Sequence, residues 1–281
     1  MPPLITPQDL SAIAGEADVR ILDVTYFLDD ADGTSARRGF EDGHIPGARF
    51  LPLGALADRE SDLPMTLPGP EQFAHAMSEA GVGHADRIVL YDRSPLHSSA
   101  RVWWLLTLFG AQSVSLLDGG LEAWTAAGNP AASGAAGTCE TPGLFVAHAD
   151  LARVRSLREV LTHVEAGDVQ IVDARSPGRF AGAEPEPRPG VEPGHIPGAL
   201  NLPYSKLFEA DGRWKSASAI ADAFAAAGVD PARPMVATCG SGITACVLAF
   251  GAERIGGLMP VYDGSWTEWG SDPSTPKAKD V

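Results

Sequence analysis

The chain has 281 residues, 44% of them hydrophobic, with 36 acidic residues against 21 basic ones and a formal charge of −15. That length is long for a single core and natural for two domains of roughly 130 residues each. So acidic a balance argues against nucleic acid or an anionic membrane as the main partner, and no apolar run approaches the length needed to span a bilayer. The N-terminal stretch Met1-Pro-Pro-Leu-Ile-Thr-Pro7 has neither the basic nor the apolar region of a leader. A cytoplasmic location is the expectation, in keeping with a reducing compartment.

In chain order, Thr6-Pro7 reads as a helix N-cap followed by proline at the first helical position. Val19-Arg-Ile-Leu-Asp23 is a short apolar strand, and Phe40-Glu-Asp-Gly-His-Ile-Pro-Gly-Ala48 a turn-rich connection. A helix-like segment leads to the strand Arg87-Ile-Val-Leu-Tyr91, and Leu117-Asp-Gly-Gly-Leu-Glu-Ala-Trp124 closes the half. Gly128-Asn-Pro-Ala-Ala-Ser-Gly-Ala-Ala-Gly137 is small, uncharged and without period, as an inter-domain linker would be.

The same order then repeats. Ser156-Leu-Arg-Glu159 fits a capping box. Val169-Gln-Ile-Val-Asp173 is a strand, Val191-Glu-Pro-Gly-His-Ile-Pro-Gly-Ala199 carries the same six-residue turn, and Pro234-Met-Val-Ala-Thr238 is the next apolar strand. Tyr262-Asp-Gly-Ser-Trp266 closes the second half. Gly-His-Ile-Pro-Gly-Ala occurring at positions 43 and 194 marks an internal duplication. Strands alternating with amphipathic segments predict an α/β fold of two tandem domains, each a mainly parallel sheet flanked by helices. Residues 1–133 and 149–281 are the expected domains, with 134–148 as the linker.

The halves differ where it matters chemically. After its central strand the second half has Cys239-Gly-Ser-Gly-Ile-Thr-Ala245, running into the apolar helix-like stretch Cys246-Val-Leu-Ala-Phe250. Small residues let the backbone curl so that several amides point inward, and the following helix aims its positive end at the same spot. Both stabilise a thiolate and any anion it carries. The first half has Tyr91-Asp92 at the equivalent place, followed by Arg93-Ser-Pro-Leu-His-Ser-Ser99. Aspartate cannot serve as a thiol, so the chemistry belongs to the second half. Cys246 is expected to be packing, and Cys139 lies in a small-residue stretch. The three cysteines have no zinc or C-x-x-C spacing, and the histidines none for a metal. Trp103, Trp104, Trp124, Trp266 and Trp269 are expected to be core and interface packing rather than a ligand platform.

The paired Gly-His-Ile-Pro-Gly-Ala turns, the cysteine loop and Tyr262-Asp-Gly-Ser-Trp266 resemble the tandem-domain rhodanese family over nearly the whole chain. The loop is similar to Cys-Gly-Ser/Thr-Gly-Val-Thr-Ala of the 3-mercaptopyruvate sulfurtransferases, with isoleucine for valine. Thiosulfate-preferring rhodaneses typically carry charged residues there, as in Cys-Arg-Lys-Gly-Val-Thr-Ala. The resemblance implies an enzyme with no metal or organic cofactor. Cys239 attacks the sulfur of a small-molecule donor and becomes a persulfide, which a thiol, thioredoxin or cyanide acceptor relieves.

The resemblance implies Arg179 and Arg188 as the carboxylate-binding pair, with Gly240, Gly242, Ile243 and Thr244 lining the donor site. Bidentate guanidinium binding suits a carboxylate set back from the sulfur, although Glu184, Glu186 and Glu192 are near enough in sequence to compete for these arginines. The loop positions 240 and 241, which flank the thiolate, are neutral, whereas a compact dianion would be best held by cations there. In the family, a serine–histidine–aspartate relay is thought to handle the pyruvate enolate. Ser241 and His44 match its first two members. The acidic member falls near Ser35, with Asp32 close by. His195 in the second copy is expected to be a turn histidine bonding backbone. The alternatives are a thiosulfate:cyanide sulfurtransferase, a persulfide carrier acting without turnover, and a cysteine phosphatase. The last would need Cys-x5-Arg, and position 245 is alanine.

Overall fold

A computed structural model describes residues 1–30, 32–135 and 142–280 of the chain; Cys139 lies outside the described residues. Two compact units emerge. One comprises Met1–Arg59, Leu67–Asp150 and Asp211–Arg213, the other Glu60–Thr66, Leu151–Ala210 and Trp214–Val281.

The first unit runs β1 (Leu4–Ile5), α1 (Pro7–Ile13), β2 (Val19–Asp23), α2 (Thr34–Asp42), β3 (Arg49–Phe50), α3 (Pro70–Glu79), β4 (Arg87–Tyr91), α4 (Ser99–Leu108), β5 (Ser113–Leu117) and α5 (Gly120–Ala126). The second repeats the sequence as β6 (Val154–Arg155), α6 (Leu157–Ala166), β7 (Gln170–Asp173), α7 (Pro177–Ala181), β8 (Leu200–Asn201), α8 (Ala217–Ala226), β9 (Met235–Thr238), α9 (Ala245–Arg254), β10 (Val261–Tyr262) and α10 (Ser265–Ser271). The sheets are ordered β1-β5-β4-β2-β3 and β6-β10-β9-β7-β8, and every pairing is parallel. Registers correspond too: Asp23 pairs with Tyr91, and Asp173 with Thr238. A parallel sheet is covered on both faces, which is why its strands are near-continuous apolar runs. All four residues of β7 and of β9 are buried.

Local chemistry starts the helices as the sequence indicates. Thr6 Oγ1 accepts the amide of Asp9, with Pro7 at the first helical position. Ser156 and Glu159 form the reciprocal capping box. All five tryptophans singled out above are buried, three of them in the two central clusters.

The duplication reaches further than its motifs. Trp124 Nε1 donates to Pro130 O at 2.8 Å, and Trp269 Nε1 to Pro276 O at 2.7 Å. His44 pairs antiparallel with Ala132, and His195 with Ala278. The true counterpart of Trp124 is therefore Trp269, three residues beyond the motif that first suggests the match. The reach expected to be linker also behaves differently at its end. The His84 amide donates to Leu144 O at 2.9 Å, the His148 amide to Phe109 O at 3.1 Å, and Phe145 is buried edge-on to Phe73. One buried aromatic is enough to dock the backbone beside it. Among the described residues no helix is long and apolar enough to cross a membrane.

Candidate active site

Cys239 follows directly on β9, the central strand of its sheet, at the carboxyl end. β7 and β8 lie to one side of β9 and β10 to the other, so this is the point where the winding reverses. A crevice opens there in such sheets. Cys239 is 1% exposed and a free thiol. The amide of Gly242 donates to its sulfur at 3.1 Å. Gly242 has φ +78°, a left-handed conformation that side chains other than glycine rarely adopt, and this turns the amide inward.

The loop carbonyls are drawn off by α10. The Trp266 amide donates to Cys239 O, and both the amide and the hydroxyl of Thr267 donate to Gly240 O. With its carbonyls engaged there, the loop can present amides to an anion on the sulfur. Ser241, Ile243 and Thr244 are all buried around it. Cys246, fully buried, donates its thiol to Gly242 O at 3.1 Å and so helps to fix the turn.

Ser265, inside the Tyr262–Trp266 motif but given no role by the sequence, is a neighbour of the nucleophile. Its φ is +51°, yet it is not glycine. Its hydroxyl donates to Tyr262 O at 2.9 Å, accepts the Cys239 amide at 3.3 Å and stands 4.0 Å from the sulfur. In the first unit the corresponding residue is Gly120, φ +60°, where an added Cβ would lie 2.6 Å from Asp92 O.

Arg179, on the short helix α7 capped by Ser176, lies over the loop: a Cβ added at Gly240 would meet its Nη2 at 2.9 Å. Its guanidinium is shared with Glu186, Nη2–Oε2 2.5 Å and Nε–Oε1 3.3 Å. Glu186 Oε1 also accepts Arg175 Nη1 at 2.8 Å. Arg175 in turn grips Asp173 through Nε and Nη2, donates to Gly194 O, and stacks 4.6 Å from the Trp266 ring. Of the three carboxylates expected to compete, Glu186 holds Arg179, while Glu184 accepts the Ser176 hydroxyl and Glu192 lies 3.9 Å from Lys277 Nζ. Arg188 is half-buried and makes no ion pair among the described residues. Tyr204 is a second residue that sequence reading misses. Burial pushes its phenol up, the Arg179 charge pulls it down and Cys239 pushes it up again.

The first unit closes the same loop without a thiol. Asp92 accepts the amides of Ser94 and Ser99, each at 2.8 Å. Burial raises its carboxyl, and these hydrogen bonds oppose the rise. Its side chain fills the place an anion would take. His44 belongs to this unit, and its surroundings match those of His195. Its Nδ1 lies 2.8 Å from Phe40 O and its ring stacks 4.0 Å over Phe40, against 2.9 Å and 3.9 Å for His195 on Phe180. Because a carbonyl only accepts, Nδ1 carries the proton in both rings. Asp32 Oδ1 accepts the Thr34 amide, and Asp30 accepts those of Ser35 and Ala36, so both carboxylates are spent on the start of α2. The structure thus gathers Cys239, Gly240, Ser241, Gly242, Ile243, Thr244 and Arg179 in the second unit, and sets His44 in a turn of the first.

Comparison with known proteins agrees with this geometry. The rhodanese-like domain matches residues 6–127 and again 156–272. The human 3-mercaptopyruvate sulfurtransferase is 44% identical over 254 residues, covering 89% of this chain and 84% of that protein. A hamster (Cricetulus griseus) thiosulfate sulfurtransferase is 35% identical over 256 residues, covering 89% and 84%. The crystal structure of the Escherichia coli 3-mercaptopyruvate sulfurtransferase SseA superposes with a TM-score of 0.85 at 34% identity, covering 95% of this chain and 99% of that one. Two matched domains and relatives this similar along most of their length leave one conclusion, that the chain belongs to the rhodanese family.

Proposed function

We propose that this protein is a sulfurtransferase that moves sulfur from 3-mercaptopyruvate through a persulfide on Cys239 to a thiol acceptor, a small thiol or thioredoxin. The observation that carries the reading is the sulfur of Cys239 under the Gly242 amide at the end of the central strand, beside a guanidinium and a neutral loop.

The Cys239 thiolate attacks the donor's sulfur. An S–S bond forms as the donor's C–S bond breaks, and the electron pair leaves on carbon as the enolate of pyruvate. That enolate takes up one proton to give pyruvate. The outer sulfur of the persulfide, anionic near neutral pH, is stabilised by loop amides. An acceptor thiolate then attacks the outer sulfur and regenerates Cys239. Arg179 and Arg188 would bind the donor's carboxylate, and the hydroxyls of Ser241 and Thr244 would donate to the enolate oxygen. The resemblance assigns His44 to the relay, while its surroundings, shared with His195, support a turn role. The reaction suits a reducing, cytoplasmic setting in which a nucleophilic thiol stays free.

Steady-state sulfur transfer from 3-mercaptopyruvate and from thiosulfate to one common acceptor tests the reading. The expected result is a strong preference for 3-mercaptopyruvate, abolished in Cys239→Ser. A preference for thiosulfate would overturn the donor assignment, and turnover that survives Cys239→Ser would overturn the mechanism.

A further inference from the structure

The chain Asp173–Arg175–Glu186–Arg179 alternates in sign and is nearly buried: the side chains of Asp173 and Arg175 are 0% exposed, Glu186 4% and Arg179 26%. Two carboxylates face two guanidiniums, so its formal charges cancel. Its inner end is anchored, because Arg175 holds Asp173 through two nitrogens and Gly194 O through one. Glu186 therefore cannot swing away when a ligand arrives. Its outer end is the guanidinium that lies over Gly240.

We propose that Glu186 is a specificity-determining residue that sets the charge of the donor, admitting a 2-oxo acid with a single carboxylate and rejecting the thiosulfate dianion. The inference rests on the reading that the donor reaches Cys239 past Arg179. An anion arriving there meets a guanidinium already shared with a fixed carboxylate. Buried charges are poorly screened by salt, so the repulsion from Glu186 persists at the loop. It scales with the charge of the ligand, and a dianion feels it twice as strongly as a monoanion. Arg188, on the same 183–190 segment and without an ion pair among the described residues, remains as one uncompensated cation for one carboxylate. The neutral residues at 240 and 241 supply no second cation.

The test is the ratio of kcat/KM for thiosulfate to that for 3-mercaptopyruvate, measured on one preparation so that the active fraction cancels. Glu186→Gln keeps the shape and removes the charge; the ratio should rise about tenfold or more. Glu186→Asp keeps the charge and should leave the ratio near that of the parent protein, even if both rates fall. An unchanged ratio in Glu186→Gln, or an equal rise in Glu186→Asp, would overturn the proposal. A measurement on the unmodified protein guards against a variant that does not fold: pyruvate should inhibit sulfur transfer at lower concentration than sulfate, and stronger inhibition by sulfate would overturn the proposal. Unmodified protein that prefers thiosulfate from the outset would sink the donor reading instead, and the change in ratio on Glu186→Gln would still report on the charge.

Discussion

Arg93 and Arg175 put a guanidinium in the same slot of the two units from different places in the sequence. Arg93 Nη2 donates to Gly39 O and Gly43 O and stands 3.9 Å from Asp23 Oδ2. Arg175 donates to Gly194 O and grips Asp173. Gly43 and Gly194 open the two copies of the six-residue turn, and Asp23 and Asp173 end equivalent strands. A buried carboxylate beneath a turn needs a cation in either unit. The first unit draws it from the residue just after Asp92; the second draws it from just after β7. That leaves position 240, beside the nucleophile, free to be glycine.

Gly240→Ala should therefore damage donor binding rather than folding. The new Cβ would meet Arg179 Nη2 at 2.9 Å, and that contact is the far end of a flexible side chain, which can move. Displacing the guanidinium should raise KM for 3-mercaptopyruvate roughly tenfold, equivalent to about 1.4 kcal/mol, with kcat little changed. Steady-state kinetics beside a thermal melt separates the two effects. A large loss of Tm with KM intact would show that the loop, not Arg179, is what the methyl group disturbs.

Ser265 holds an unfavourable backbone conformation for the sake of its hydroxyl. Ser265→Ala keeps the φ of +51° and loses the hydrogen bonds to Tyr262 O and the Cys239 amide. It should cost about 1–3 kcal/mol. Ser265→Gly loses the same bonds but relieves the left-handed strain, so it should be more stable than the alanine variant by about 1 kcal/mol. Both should slow sulfur transfer, because the amide of the nucleophile loses its anchor. Urea unfolding and single-turnover persulfide formation measure the two quantities. Full activity in both variants would reduce Ser265 to a packing residue.

Much of this was legible in the sequence because turns and caps are local. Gly-His-Ile-Pro-Gly-Ala, the Ser156–Glu159 capping box and the Cys239 loop each need particular residues at fixed offsets, and a reader can find them. What escaped is non-local. Arg175 and Glu186 are eleven positions apart with no period linking them, and the swap between Arg93 and Arg175 shows only once both turns are in place. Phe145 stands between Leu144 and Val146, which are exposed, and no period in the sequence marks it as the one whose burial docks the end of the expected linker. Tyr204 carries no motif; it follows the edge strand β8, and its phenol feels the charge of Arg179, 25 positions earlier in the chain.

His44 and His195 should behave as a pair. Each has its Nδ1 on a phenylalanine carbonyl and its ring stacked on that phenylalanine. Alanine at either position should cost about 1–3 kcal/mol through the lost hydrogen bond and exposed carbonyl. The kcat for 3-mercaptopyruvate, corrected for folded protein, should stay near that of the parent protein in both. A fall in kcat confined to His44→Ala would restore the proton relay that the family resemblance implies.

His97 makes folding stability sensitive to acid in a defined window. Burial holds its imidazole down to about 4 from an ordinary value of 6.5. The folded protein thus keeps His97 neutral where the unfolded chain already binds a proton. Its contribution is complete above pH 6.5 and is lost progressively as the pH falls toward 4, because there the unfolded state binds more protons. Carboxylates elsewhere also respond to acid, so the informative quantity is a difference between proteins. His97 has φ +50°, a conformation that asparagine tolerates better than most residues. His97→Asn should therefore fold, and its unfolding free energy should fall less between pH 7 and pH 4 than that of the parent protein. Parallel urea titrations across that range measure the difference. Identical slopes would mean that water reaches the imidazole and that its burial does not hold the proton off.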